Sequence, residues 1–185
     1  MNEFSMYEFA VSQKREGRWI VARIGLIFLY IATGVAMLGM ALVTRLFAPL
    51  FAFTPILIWL LVFITWRYVS VEYEYTLTSG TLTFAKIYGG RSRRRIFELS
   101  LRDAKRIAPL DNEQEAARAA AHRAELVFTG VSSMAAPDIY FMLFDFEDKR
   151  GKKRPVIFYF EATAKALSIC RFYNPAATVL SNVSR

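Results

Sequence analysis

The chain has 185 residues, 55% of them hydrophobic, 22% charged, and a net charge of +8. That hydrophobic share exceeds the roughly 45–50% of an ordinary soluble domain, and with 15% aromatic residues it excludes a disordered chain. One cysteine (Cys170) excludes a disulfide framework, and one histidine (His122) excludes a multi-histidine metal site within one chain.

Residues 1–23 read as a cytoplasmic N-terminal segment. From Ile24 to Val43, 20 residues carry no charge. At about 1.5 Å per residue, a helix of that length matches a hydrocarbon core roughly 30 Å thick. A second uncharged run extends from Leu46 to Trp66, with its helical part expected from Pro49 because proline is tolerated in a first helical turn. Pro55 either kinks this span or marks its true beginning. Spans at about 24–43 and 49–66 leave a short connection, which makes them an antiparallel transmembrane hairpin. Neither run has the polar face that a soluble core helix needs. A cleaved signal is disfavoured by the length of the first run, by Glu3, Glu8 and Glu16 before it, and by the second span after it.

Charge sets the expected orientation. Lys14, Arg15, Arg18 and Arg23 precede the first span against Glu16, Arg67 follows the second, and the connection offers only Arg45. Both termini are therefore expected in the cytoplasm, in a multi-pass protein of the bacterial cytoplasmic membrane. Trp19, Trp59 and Trp66 fit interfacial anchoring. The small residues Gly25, Ala32, Gly34, Ala36 and Gly39 allow close helix packing.

At Val71 the period changes to two. Val71, Tyr73, Tyr75 and Leu77 alternate with Glu72, Glu74, Thr76 and Thr78, a half-buried strand with both glutamates assigned to solvent. Ser79-Gly80 predicts a hairpin turn into a strand over 81–88, and Gly89-Gly90 another into a strand over 91–99. A short strand over 104–109 follows. Residues 111–124 break the composition. Asp111 or Asn112 can cap a short helix there, lying either on the surface of a long loop or in a mobile insertion. His122 at its end reads as solvent-exposed. Strands are expected at 125–129, 139–146 and 155–161, the middle one (IYFMLFDF) apolar on both faces and so central or wrapped. A helix from about Thr163 carries Ala162, Ala166, Ile169, Cys170 and Tyr173 along one face, with Cys170 expected buried, and ends at Asn174-Pro175. The 115 residues from Val71 to Arg185 suffice for a core. They are expected to form a strongly bent antiparallel sheet of about seven strands closed by a C-terminal helix.

That layout resembles a pleckstrin-homology-like (PH-like) domain. The stretch VEYEYTLTSGTLTFAKIYGGRSRRRIFELSLRDAKRIAPL is similar to the segment after the spans in a family of small bacterial two-span membrane proteins. Its Tyr73-Glu74-Tyr75, Ser79-Gly80 and Ile107-Ala108-Pro109 elements carry the likeness. The resemblance implies a helical hairpin followed by a PH-like domain and assigns no functional residues; the 112–124 stretch has no counterpart in it.

Catalytic patterns are missing from the sequence. It contains no GxxxxGK[ST], GxGxxG or GxSxG, and Ser132-Ser133 has no histidine nearby in the chain. Glu98 and Asp103 are expected to balance neighbouring basic residues. No cofactor and no enzymatic activity are expected. The signal left is basic clustering: Arg91, Arg93 and Arg95 on one face of a strand with Arg94 on the other, and Lys149, Arg150, Lys152, Lys153 and Arg154 at a hairpin tip. Near an anionic leaflet each contributes about 1 kcal/mol within a Debye length. Net +6 over residues 67–185 is moderate, and the aromatics sit at core positions, so nucleic acid is not an expected partner. The leading expectation is a non-enzymatic module at the inner leaflet that binds a protein partner or anionic lipid head groups. The alternative is an assembly subunit whose hairpin packs against another membrane protein or a second copy, and an enzyme ranks third.

Overall fold

The computed structural model describes residues 6–14, 17–44, 46–147, 151–181 and 183. They divide into two compact units, one of Lys14–Val71 with Ile87–Arg93, the other of Met1–Gln13, Glu72–Lys86 and Arg94–Arg185.

In the first unit, helices α1 (Arg18–Thr44) and α2 (Phe47–Thr65) form the expected hairpin. α1 starts earlier than the uncharged run, since backbone hydrogen bonding does not require an apolar side chain. Gly17 adopts φ 55° and its carbonyl accepts from the Ile20 amide at 3.1 Å. Arg23 is thus a helical residue, and its guanidinium donates to the Val69 carbonyl from Nη2 at 2.7 Å and Nε at 3.1 Å. The two helices meet through a Tyr30–Thr65 hydroxyl contact and through Gly34, where an added Cβ would lie 3.5 Å from Ile58 Cδ1. Pro55 lies inside α2 and does not mark its start. Trp19–Thr44 and Phe47–Tyr68 are each long and apolar enough to cross a membrane, and only 6% and 0% of their most apolar windows are buried.

The second unit is mainly β. Strands β1 (Met6–Ser12), β2 (Val71–Thr78), β3 (Thr81–Tyr88) and β4 (Ser92–Ser100) form one four-stranded sheet in that order. A short 3-10 turn at Leu101–Asp103 leads to the second sheet, ordered β5 (Arg106–Pro109), β7 (Ile139–Glu147), β8 (Lys153–Glu161), β6 (Leu126–Thr129). β7 is central, which explains a run apolar on both faces. Two features depart from the sequence reading. β1 comes from the N-terminal segment and pairs antiparallel with β2, Phe9 facing Tyr75 at a ring distance of 4.6 Å. β6 pairs parallel with β8, because the chain reaches it through a loop and a helix and not through a hairpin.

Aromatic rings fill the core. Phe84 meets Phe158 at 4.7 Å, and Phe97 meets the same ring edge-on at 5.0 Å. Such pairs contribute about 0.5–1.5 kcal/mol beyond their area burial. Helix α3 (Glu113–Ala121) is capped by Asn112, whose side chain accepts from the Gln114 and Glu115 amides. Its Ala119 packs with Ala108, Phe141, Leu143 and Ile157. Residues 113–121 are therefore a packed element of the fold. Helix α4 (Ala164–Tyr173) is capped by Thr163 and buries Ala166, Leu167, Ile169 and Cys170. Beyond it, Ala177 and Val179 hydrogen-bond the backbone of Ile107, covering the outer edge of β5.

Two burial expectations change, at Glu74 and His122. Glu74 is only 5% exposed, because β2 has a neighbour on each side and Glu74 stands opposite Ala10 of β1. His122 is half-buried at the end of α3. Ser132 is buried, its amide donating at 2.6 Å to the carboxylate of Glu161, itself 1% exposed.

Candidate anionic-surface site

The turn between β3 and β4 places the first arginine. Gly89 and Gly90 have φ 60° and 66°, values that side-chain-bearing residues seldom adopt, and the Arg91 amide closes the turn on the Tyr88 carbonyl at 3.2 Å. Arg91 therefore belongs to the turn and not to the face of β4, where alternation had put it with Arg93 and Arg95. Its guanidinium lies 5.0 Å from the centroid of the Phe63 ring on α2. Gly89 also brings the turn onto the end of the hairpin. Its amide donates to the Ser70 carbonyl at 2.7 Å, and a Cβ on it would approach Arg67 Cβ to 2.9 Å.

Arg93 and Arg95 stand two apart on β4 and share a face, both exposed. Arg95 donates from Nη1 to Glu98 Oε2 at 2.8 Å, the balance expected of Glu98. At the other cluster, Lys149 and Arg150 lie outside the described residues, as does Arg45. Lys152 and Lys153 are exposed, whereas Arg154 is half-buried with its Nε 4.0 Å from Glu125 Oε2. Lys153 lines a cleft of about 470 Å³ together with Glu98, Asp103, Asp145 and Glu147, so its surroundings are acidic. Arg91 and Arg93 fall in the first unit, and Arg95 with Lys152, Lys153 and Arg154 in the second.

Other charged groups serve structure. The Arg106 guanidinium holds Glu115 below the usual carboxylate range by hydrogen bonding. Burial lowers the Lys86 ammonium, which lies 5.4 Å from the Tyr73 ring centroid. Burial, and then the Glu161 carboxylate, push the Tyr75 phenol well up, and its hydroxyl donates to the Gly130 carbonyl. Burial raises the Cys170 thiol to about 12, which removes it as a nucleophile near neutral pH. Among the described residues no group of three or more His, Cys, Asp and Glu side chains could hold a metal ion.

The sequence reading passed over Arg67 as a site residue. The available signal was its position as the first charge after an uncharged run that ends in tryptophan.

No curated protein and no solved structure matches the chain. A family model matches residues 3–179 as one stretch, starting ahead of the helical hairpin, so the PH-like module is not strictly C-terminal, as the pairing of β1 with β2 requires. By that match the chain belongs to the family described as Bacterial PH-like domain (DUF6106).

Proposed function

We propose that this protein is a membrane-anchored PH-like module held at the inner leaflet by a two-span hairpin, with both termini cytoplasmic. One observation carries the reading: two long helices whose most apolar windows are 6% and 0% buried among the described residues. Water is a poor solvent for such surfaces, and hydrocarbon is a good one. The PH-like family fold supports a non-enzymatic reading.

In this reading the spans are about residues 24–43 and 49–66, carried by helices α1 and α2, and the PH-like domain combines the N-terminal strand with residues 71–185. Arg91, Arg93, Arg95, Lys152, Lys153 and Arg154 supply the attraction for anionic head groups, which Glu98 beside Arg95, the acids around Lys153 and Glu125 beside Arg154 reduce.

Cysteine labelling tests the anchoring. In a Cys170→Ser background, Leu46→Cys should react with an impermeant maleimide applied to intact cells, and Lys152→Cys should react only after lysis. The opposite pattern would reject the orientation, and recovery of the chain without detergent would reject the anchoring itself.

A further inference from the structure

The last turns of α2 carry a cleft beside the β3–β4 turn. Trp59, Val62 and Phe63 of α2, with Trp66 at its C-cap, are spaced i, i+3, i+4 and i+7, so they lie along one side of the helix end. They form the apolar wall of a cleft of about 380 Å³, closed on its other side by the β3–β4 turn. Trp59 is 64% exposed and Phe63 48% exposed, so the wall is open to whatever surrounds the helix.

The rim is cationic. Arg67 and Arg91 line the cleft, and among the described residues no carboxylate does. Each guanidinium is placed by an aromatic ring: Arg91 is 5.0 Å from the Phe63 centroid, and Arg67 is 4.8 Å from the Tyr68 centroid, with Nη2 donating to the Tyr68 hydroxyl at 2.8 Å. Stacking occupies the face of a guanidinium and leaves edge donors for a phosphate oxygen pair. Gly89 makes this arrangement compact, since any side chain there would push the turn off Arg67.

We propose that this cleft binds one anionic glycerophospholipid of the inner leaflet. Arg67 and Arg91 take the phosphate, and the wall from Trp59 to Trp66 takes the start of an acyl chain. The charge of the rim selects an anionic occupant, and the wall beneath it requires an apolar tail. The two meet where the apolar run stops and charge begins, which is the depth at which lipid phosphates lie. A volume of this size suits a head group with part of a chain. The proposal rests on the membrane reading above and adds a specific site to it.

The test uses the full chain, extracted in mild detergent and exchanged into micelles containing equal phosphatidylglycerol and phosphatidylcholine, with retained lipids counted by native mass spectrometry. The wild type should retain one phosphatidylglycerol per chain in preference to phosphatidylcholine. Arg67→Gln with Arg91→Gln should reduce that preference roughly tenfold, each cation contributing several-fold at an anionic surface. Arg67→Lys with Arg91→Lys should restore part of it, whereas Arg102→Gln with Arg123→Gln should leave it unchanged. Equal retention of both lipids by the wild type would overturn the site. So would loss in the Arg102 and Arg123 control, or a lysine pair as defective as the glutamine pair. Displacement of the lipid by inorganic phosphate alone would overturn the acyl contact. A chain that stays in the membrane fraction without this preference refutes the cleft only, while a chain recovered without detergent refutes the membrane reading as well.

Discussion

Arg106 at the start of β5 grips Glu115 in the first turns of α3 with both arms of its guanidinium, Nη2 to Oε1 at 2.5 Å and Nε to Oε2 at 3.1 Å. The carboxylate is only 10% exposed, and Arg118 approaches the same Oε1 at 3.4 Å. This two-pronged clamp and the packing of Ala119 are what bind α3 to the second sheet.

Glu115→Gln is expected to cost about 2 kcal/mol, the scale of a charge-assisted hydrogen bond in a partly buried site. Because Arg106 lowers the folded-state pKa of Glu115, the pair stabilises fully above the unfolded carboxylate value of about 4.3 and loses that contribution as pH falls through the folded value. Thermal unfolding of the detergent-solubilised chain should show a Glu115→Gln deficit at pH 7 that shrinks toward pH 3. A deficit independent of pH would mean that packing, not charge, holds the helix.

Removal of β1 should expose the outer edge of β2 and the ring of Tyr75. Residues 71–185 alone are expected to be aggregation-prone, despite a core that is otherwise complete. Since Ser12 pairs with Glu72, replacing residues 14–70 by a short Asn-Gly loop should give a soluble, mainly β protein. Phe9→Ala in that protein should cost about 1–2 kcal/mol, through the lost stack on Tyr75 and the exposed strand edge. Equal stability of 71–185 with and without the strand, read by urea unfolding, would count against an essential β1.

Asn174 closes α4 and also ties it to the 3-10 turn. Its amide nitrogen donates to the Leu101 and Ala104 carbonyls, both at 2.9 Å, and its oxygen accepts from the Ala177 amide at 3.2 Å. Asn174→Asp turns the donor into a second acceptor facing carbonyl oxygens, so it should destabilise more than Asn174→Ala, by about 1 kcal/mol or more. If the aspartate variant melts at or above the alanine variant, the donor role is disproved.

Cys170 should ignore thiol reagents until the domain unfolds. Its folded-state pKa is raised to about 12 by burial, against an unfolded value of about 8.5. Above pH 8.5 the unfolded state therefore binds fewer protons than the native one, so stability falls as pH rises, by up to about 1.4 kcal/mol per unit. Between pH 9 and 10 the wild type should lose roughly 1 kcal/mol more than Cys170→Ala. Labelling of the native protein at a rate insensitive to denaturant would contradict this burial.

Local chemistry was enough to read much of the fold. Two uncharged runs specify long helices, because a helix satisfies its own backbone and needs only apolar side chains to suit an apolar surrounding. Alternation from Val71, with glycine at each turn, specifies β2 to β4, because a strand exposes its faces with a period of two. Thr163 and the spacing of buried residues after it specify α4. The pairing of β1 lay beyond such signals. Tyr7, Phe9 and Val11 alternate with polar or small residues, but their partner strand follows the whole hairpin, and alternation does not say which edge a strand will join. The parallel seat of β6 is likewise a product of the path taken by the intervening chain. Electrostatics divided in the same way. A cluster of arginines is visible in one dimension, yet its function depends on neighbours that only folding supplies. Folding set acids around Lys153 and the ring of Phe63 beneath Arg91. Gly89 lets the turn that carries Arg91 close onto Arg67, a contact between distant residues that no local pattern encodes.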